Sequence, residues 1–319
     1  MRRLSVALAA AASIALLLVS GAAAGNGGFG PAPPVTPSGS RISDAYWFIF
    51  GFAAFVFVVV EGALIWFVIR YRRRGRSREA EGPQIHGSTR LEQLWTAVPV
   101  LILAAIAAFV FYKLPGIKDV PAARAGESLT VKVKAHQFYW EFDYPNGQVA
   151  IDRMTVPENQ VVRLEVTTPD VAHSWWIPRF GGKIDAIPGR TNTIWFKTDR
   201  LGVYKGQCAE FCGLLHARMT AEVAVVTASE FRSFLASHRA AGATVGRETF
   251  QGVCAKCHGL SGEGGVGPKI KGSALLSQPG PLEDLIRHGR NLMPPVGEGW
   301  SDAQMRATTT YLKEHLSGS

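Results

Sequence analysis

Two long apolar runs decide most of what this chain can become. Residues 45–69 carry a single charge, Glu61, and residues 94–112 carry none. About twenty such residues are enough to cross the hydrocarbon core of a bilayer as a helix. Between the runs stands "RYRRRGRSR", with Arg70, Arg72, Arg73, Arg74, Arg76 and Arg78. Clustered arginines stay on the cytoplasmic side. Both spans therefore meet the cytoplasm at this loop and form a hairpin with its outer ends on the export side. Glu61 is costly in hydrocarbon unless it faces protein or water, and near the cytoplasmic end it can pair with a neighbour.

The net charge of +9 has its explanation in the same place. The six loop arginines, with Arg2 and Arg3, account for eight of the nine charges. The excess flanks a membrane and is not a nucleic-acid surface. Residues 1–24 have two cations, an apolar stretch and then small residues, the order of a secretory signal, with Ala22-Ala23-Ala24 offering a cleavage site; an uncleaved anchor is the alternative. Residues 25–44 open with "GNGGFGPAPPVTPSGS" and read as a flexible leader. The hairpin then covers 45–112, and everything after Lys113 is exported.

From residue 128 the hydrophobic period changes to two. "LTVKVKA", "QVVRLEVTT", "TNTIWFKT" and "ARMTAEVAVV" alternate or run β-branched, with Pro and Gly between them. Short strands spread over residues 113–227 predict an all-β sandwich or barrel. "SEFRSFLASHRAA" predicts a helical linker over 228–243. Residues 244–319 read as a small all-α domain of short helices around Gly- and Pro-rich loops, with a capping-box start from Ser301 to Gln304.

All four cysteines fall in two motifs. "CAEFCGLLHARM" places Cys208, Cys212, His216 and Met219 in one loop. Thiolate, imidazole and thioether suit copper or zinc. Two thiolates four residues apart can bridge two copper ions, each of which then needs an imidazole. His216 supplies one, and His173 in "PDVAHSWWIP" is the best candidate for the other. Met219 is spaced as a weak axial ligand, and a backbone carbonyl between the cysteines can serve the second copper. A disulfide between Cys208 and Cys212, or a zinc site, would leave the His or the Met without a role. The second motif, "CAKCH" at 254–258, has the form of a c-type haem attachment. Cys254 and Cys257 would form the thioethers and His258 would bind iron. Met293, in "RNLMPP", is placed to be the sixth ligand, while Met305 falls in the last helix as a core residue.

"CAEFCGLLHARM", "DVAHSWWIP", "GGKIDAIPGR" and "GVYKGQC" together resemble the dinuclear copper domain of cytochrome c oxidase subunit II, over residues 41–226 including both spans. The resemblance implies a cupredoxin-like β-barrel. It implies copper ligation by His173, Cys208, the Glu210 carbonyl, Cys212, His216 and Met219, and a magnesium ion held by Glu210 at the boundary with subunit I. "LEQLWTAVPVLIL" resembles the family's entrance to the second span, which places Glu92 near the mouth of a proton path. Residues 244–319 resemble a class I cytochrome c, and "VGPKIKG" its proline loop, with Pro268 supporting His258.

The implied protein is a subunit of a haem–copper terminal oxidase with a fused cytochrome c domain. Its partners would be subunit I, further membrane subunits and an upstream donor, either cytochrome c or a quinol–cytochrome c reductase. It would sit in a bacterial cell membrane with both large domains on the periplasmic side. Oxygen would be reduced in subunit I with proton pumping, since the remaining histidines here are scattered. A stand-alone membrane-anchored carrier and a copper subunit of a nitric oxide reductase are the alternatives. In the family an aromatic cluster, Q-W-Y-W, takes electrons from a docked cytochrome c. Here residues 137–140 read "QFYW", so Phe138 replaces the first tryptophan beside Tyr139 and Trp140. Phenylalanine has no indole N–H and a smaller ring. Residues 113–227 carry 14 Lys and Arg against 12 Asp and Glu, which is no acidic field to steer a basic donor. Both features place electron entry at the haem bound by His258 and Met293, whose tether gives it a high effective concentration near copper.

Overall fold

The structure is a computed structural model that describes residues 30–72, 75, 82, 84, 86–122, 128–237 and 242–318. The expected signal peptide, Arg73, Arg74, Arg76, Arg78 and linker residues 238–241 lie outside them.

Helices α1 (Pro37–Tyr71) and α2 (Thr89–Lys113) form the hairpin. Each contains a window of mean hydropathy 2.5, long and apolar enough to cross a membrane. Phe48 stacks on Phe109 with ring centroids 4.2 Å apart. Lys113 Nζ meets Asp44 at 2.7 Å, joining the start of α1 to the end of α2. Glu61 is exposed on α1 beside an apolar groove lined by Val60, Ile102 and Ile106. Helix α1 starts at Pro37, eight residues before the apolar run, so the leader expected over 25–44 is helical in its last part. Proline suits a first helical position because its missing N–H would be unpaired there. The preceding residues are held as well. The Val35 amide donates to Arg179 O at 3.0 Å and Thr36 Oγ1 to Phe180 O at 2.7 Å. A Gly/Pro-rich composition hid these contacts, because the buried Val35 stands alone between prolines and polar residues and shows no period.

The next domain is a β-sandwich of two five-stranded sheets, ordered β3-β2-β1-β5-β8 and β4-β10-β9-β6-β7. The strands are β1 (Ser128–His136), β2 (Tyr139–Asp143), β3 (Val149–Ile151), β4 (Arg153–Pro157), β5 (Val161–Thr167), β6 (His173–Trp176), β7 (Ile184–Ala186), β8 (Asn192–Phe196), β9 (Gly202–Cys208) and β10 (Thr220–Val226). Strand β1 shows the logic. Leu129, Val131, Val133 and Ala135 point into the core, and the residues between them face outward. Strands β1 and β5 run parallel, as do β4 and β10, which gives the crossed, cupredoxin-like arrangement.

Helix α3 (Ala228–Ser237) packs Phe231 against this core. The C-terminal domain contains α4 (Ala243–Thr249), a π-helical turn (Phe250–Cys254), α5 (Ala255–His258), α6 (Pro279–His288) and α7 (Asp302–Leu316). Ser301 caps α7 by accepting from the Gln304 amide at 3.2 Å, and Met305 is buried as expected. This domain is not a separate body on a linker. Its core contains Phe250, Trp300, Met305 and Leu312 together with Tyr139, Val149 and Ile151 from β2 and β3. Trp300 Nε1 donates to the Tyr139 hydroxyl at 2.9 Å, which donates to Val296 O at 2.7 Å. Gln304 Nε2 reaches Glu141 Oε2 at 3.4 Å.

Candidate copper and haem centres

The first centre forms where β6, β9 and β10 converge. The loop from Cys208 to Met219 joins β9 to β10 and is closed like a hairpin, with the Cys208 amide donating to Met219 O at 2.9 Å. The Ala209 amide donates to Ser174 O at 2.9 Å and ties the loop to β6, which carries His173. The four side chains named from the loop, and His173, converge. Cys208 Sγ lies 3.8 Å from His173 Nδ1 and 3.9 Å from Cys212 Sγ. Cys212 Sγ lies 3.5 Å from His216 Nδ1 and 3.9 Å from Met219 Sδ. The Glu210 carbonyl is 3.2 Å from Cys208 Sγ. The two sulfurs are closer than twice a metal–thiolate bond of about 2.3 Å, so one ion can touch both, and each sulfur has its own imidazole. All four cysteines are free thiols, so the disulfide alternative is not realised.

The electrostatics fit cations. Burial opposes ionisation of Cys208, but hydrogen bonds from His173 and the backbone outweigh it and bring the thiol down to about 7. Burial and then the neighbouring Cys208 charge push Cys212 up to about 12. Without metal, a second thiolate is resisted; cations between the sulfurs remove that resistance. Asp170 Oδ1 lies 2.9 Å from His173 Nε2, which leaves Nδ1 toward the sulfurs. Burial disfavours the Asp170 carboxylate, yet its bonds to His173, Thr168 and two backbone amides hold it at about 2. Gly213 has φ +123, and a Cβ there would meet Gln137 Nε2 at 3.0 Å and the Phe138 ring at 3.3 Å. Only glycine permits that approach, through which Gln137 Nε2 reaches Cys212 O at 2.6 Å.

The aromatic stretch at 137–140 splits. Trp140 is buried with its ring centroid 6.2 Å from that of His173. Phe138 is partly buried beside Gly213. Tyr139 points away into the core shared with the C-terminal domain. The Glu210 carboxylate is half exposed, with Lys183 Nζ at 3.9 Å. Glu92 stands exposed in the first turn of α2, where its carbonyl accepts from Thr96 Oγ1 at 2.9 Å.

In the second centre, Cys254 ends the π-helical turn, and Cys257 and His258 follow in α5. Burial pushes the Cys254 thiol up to about 12 and also raises Cys257. His258 Nδ1 lies 2.7 Å from Pro268 O, so as a donor there it leaves Nε2 free to bind a metal. Gly267 makes that fit, since a Cβ on it would come within 2.7 Å of the His258 ring. Met293 sits in a loop bridged to Arg290. Leu260, Val266 and Leu292, close in sequence to His258 and Met293, are 75%, 53% and 92% exposed. An apolar macrocycle is what such side chains would pack against.

Sequence reading missed the residues between the centres. Lys256, inside the CxxCH motif, donates from Nζ to Phe138 O at 2.9 Å and pairs with Asp152. Arg218, inside the copper loop, donates from Nη1 to Lys256 O at 3.3 Å. Asp152 stands 104 residues from Lys256, and no local pattern marks it.

A two-helix membrane anchor, a β-sandwich with a buried sulfur–imidazole cluster and a helical CxxCH domain define a membrane-bound electron-transfer protein. Comparison with known proteins gives the family. Residues 27–112 match the cytochrome c oxidase subunit II transmembrane domain, 148–226 its periplasmic domain, and 241–312 the cbb3-type cytochrome c oxidase subunit III family. The chain is 32% identical over 288 residues to cytochrome c oxidase subunit 2 of Alkalihalophilus pseudofirmus, covering 82% of this chain and 83% of that protein. It is 30% identical over 252 residues to the same subunit of Cereibacter sphaeroides, covering 67% and 81%. Among solved structures, the periplasmic domain of subunit II of cytochrome oxidase from Bradyrhizobium japonicum is 38% identical, covers 37% of this chain and 96% of that one, and has a TM-score of 0.35. The chain belongs to the cytochrome c oxidase subunit II family and carries a C-terminal cytochrome c domain. Copper binding and haem binding follow from these families.

Proposed function

We propose that this chain takes electrons in at its C-terminal domain, passes them to the copper loop, and delivers them to subunit I of the oxidase, where oxygen is reduced to water with proton pumping. The observation that carries this reading is the direct contact of the CxxCH turn with the copper loop, Arg218 Nη1 to Lys256 O at 3.3 Å. A bound haem and a bound copper pair each supply a one-electron site. Cys254 and Cys257 would hold a haem c through thioethers, and His258 and Met293 would bind its iron, supplying a one-electron redox site. Cys208, Cys212, His173, His216, Met219 and the Glu210 carbonyl would hold the two copper ions, which would supply the second one-electron site. Asp170 orients His173, the Pro268 carbonyl orients His258, and Gln137 pins the copper loop at Cys212. The Glu210 carboxylate serves a magnesium ion shared with subunit I, and Glu92 lies at the entrance of a proton path. The arginine loop faces the cytoplasm and both large domains the periplasm of a bacterial cell. The donor is a cytochrome c or a quinol–cytochrome c reductase that docks on the C-terminal domain, because the Phe138 carbonyl and Tyr139 are already engaged by that domain.

Rapid mixing of the purified oxidase with its reduced donor tests the order. The haem absorbance changes first and the copper absorbance follows. Copper reduction that precedes haem reduction would refute the entry point. A chain that releases its haem on denaturation would refute the covalent attachment.

A further inference from the structure

Lys256 joins the haem-attachment turn to the copper domain through both its side chain and its carbonyl. Lys256 Nζ donates to Phe138 O at 2.9 Å and forms an ion pair with Asp152, while Lys256 O accepts from Arg218 Nη1 at 3.3 Å. The Lys256 and Asp152 side chains are only 14% and 20% exposed. Asp152 is itself fixed, since its Oδ1 accepts from the Trp140 amide at 2.9 Å. Each partner is tied to the copper centre. Phe138 packs on Gly213 beside Cys212, Trp140 faces His173, and Arg218 stands between His216 and Met219. Lys256 itself stands between the two cysteines of the attachment motif. At Gly252, two residues before Cys254, a Cβ would come within 2.5 Å of Ile151 Cγ2, so the backbone of the turn is in close contact with β3.

We propose that Lys256 is a positioning residue that latches the haem-attachment turn to the copper domain. The electron then crosses a fixed contact between two parts of one chain, not an encounter remade at each turnover by a tethered domain. The step moves one electron from the C-terminal domain to the copper loop, with no bond made or broken and no proton required. A largely buried ion pair that also holds a backbone carbonyl is directional and poorly screened by salt, which suits a latch. Removing one partner leaves the other charge buried and unpaired, so the latch opens when either side is lost. This inference rests on haem attachment at Cys254 and Cys257, as proposed above.

The test uses the full chain in its purified oxidase. Covalent haem and copper are assayed first in the unmutated protein and in Lys256→Met. A protein without covalent haem refutes the attachment and with it the basis of the latch. With haem and copper present in both, Lys256→Met is expected to slow haem-to-copper electron transfer after rapid haem reduction by about tenfold or more. It is also expected to speed amide hydrogen exchange across residues 149–152 and 250–258 by a similar factor, a readout independent of turnover. Asp152→Asn should reproduce both effects and Lys256→Arg should restore most of each. Lys256→Met with normal transfer and normal amide protection overturns the latch. Slower transfer with unchanged protection also overturns it, because the residue would then act without holding the turn.

Discussion

Replacing Tyr139 by Phe removes one oxygen atom from the seam between the two domains, and the structure sets the cost. Tyr139 is fully buried, and its hydroxyl accepts from Trp300 Nε1 at 2.9 Å and donates to Val296 O at 2.7 Å. Phenylalanine fills the same ring volume and leaves both partners behind. Trp300 is 3% exposed, so its N–H finds no water and bears the desolvation penalty of about 1–3 kcal/mol for an unsatisfied buried group. Val296 is only partly buried, so its carbonyl recovers some hydration. The sum is about 2–3 kcal/mol. Urea unfolding of the C-terminal domain in the full chain, followed by haem absorbance, measures it. A domain of this size loses about 1 kcal/mol per molar urea, so the midpoint should fall by about 2–3 M. Trp300→Phe provides the control. With no indole N–H left to orphan, Tyr139→Phe in that background should cost only about 1 kcal/mol. Equal costs in both backgrounds, or a midpoint moved by less than about 0.3 M, would refute the hydrogen-bonded seam.

Cys212→Ser should abolish the spectrum of an electron shared over two coppers and lower copper below two per chain, as measured by electron paramagnetic resonance and metal analysis, while covalent haem stays intact. His136 gives the pH dependence. Burial, opposed by Asp170 and reinforced by Lys134 and His173, lowers its pKa from 6.5 to about 4. Its folded form therefore takes up a proton less readily than its unfolded form, so stability is full above about 6.5 and is lost as pH falls toward about 4. The loss reaches roughly 3 kcal/mol at the acid end and is about half of that near pH 5.5. Urea midpoints across this range should show it, and His136→Phe, which keeps a ring against Tyr139, should flatten it. An unchanged slope in that variant would rule His136 out.

Truncation after Ser237 is a poor way to isolate the copper domain, although the sequence invites it. The cut would bare Tyr139, Val149 and Ile151, which are buried in the core shared with the C-terminal domain. Point substitutions at the seam avoid that exposure.

What the sequence determined by itself was whatever is local. The hairpin follows from run length and arginine placement, since hydrocarbon leaves the backbone no other partner. The spacing of Cys208, Cys212, His216 and Met219 is legible because one short loop carries all four and two adjacent strands close it. The CxxCH turn is legible because its chemistry fits within a single helical turn. Strand β1 could be read from its alternation, but β3 and β7 are three residues long and have no period to read. Tertiary structure alone decided which face of β2 meets which domain. Tyr139 read as part of an aromatic route, yet the pleat that turns Trp140 toward His173 turns Tyr139 the other way, under Trp300. It also decided that Lys256, unremarkable within its motif, meets Asp152 from 104 residues upstream. No periodicity or spacing encodes that pair, because its partners become neighbours only when the fold brings β3 and the CxxCH turn into one shared core.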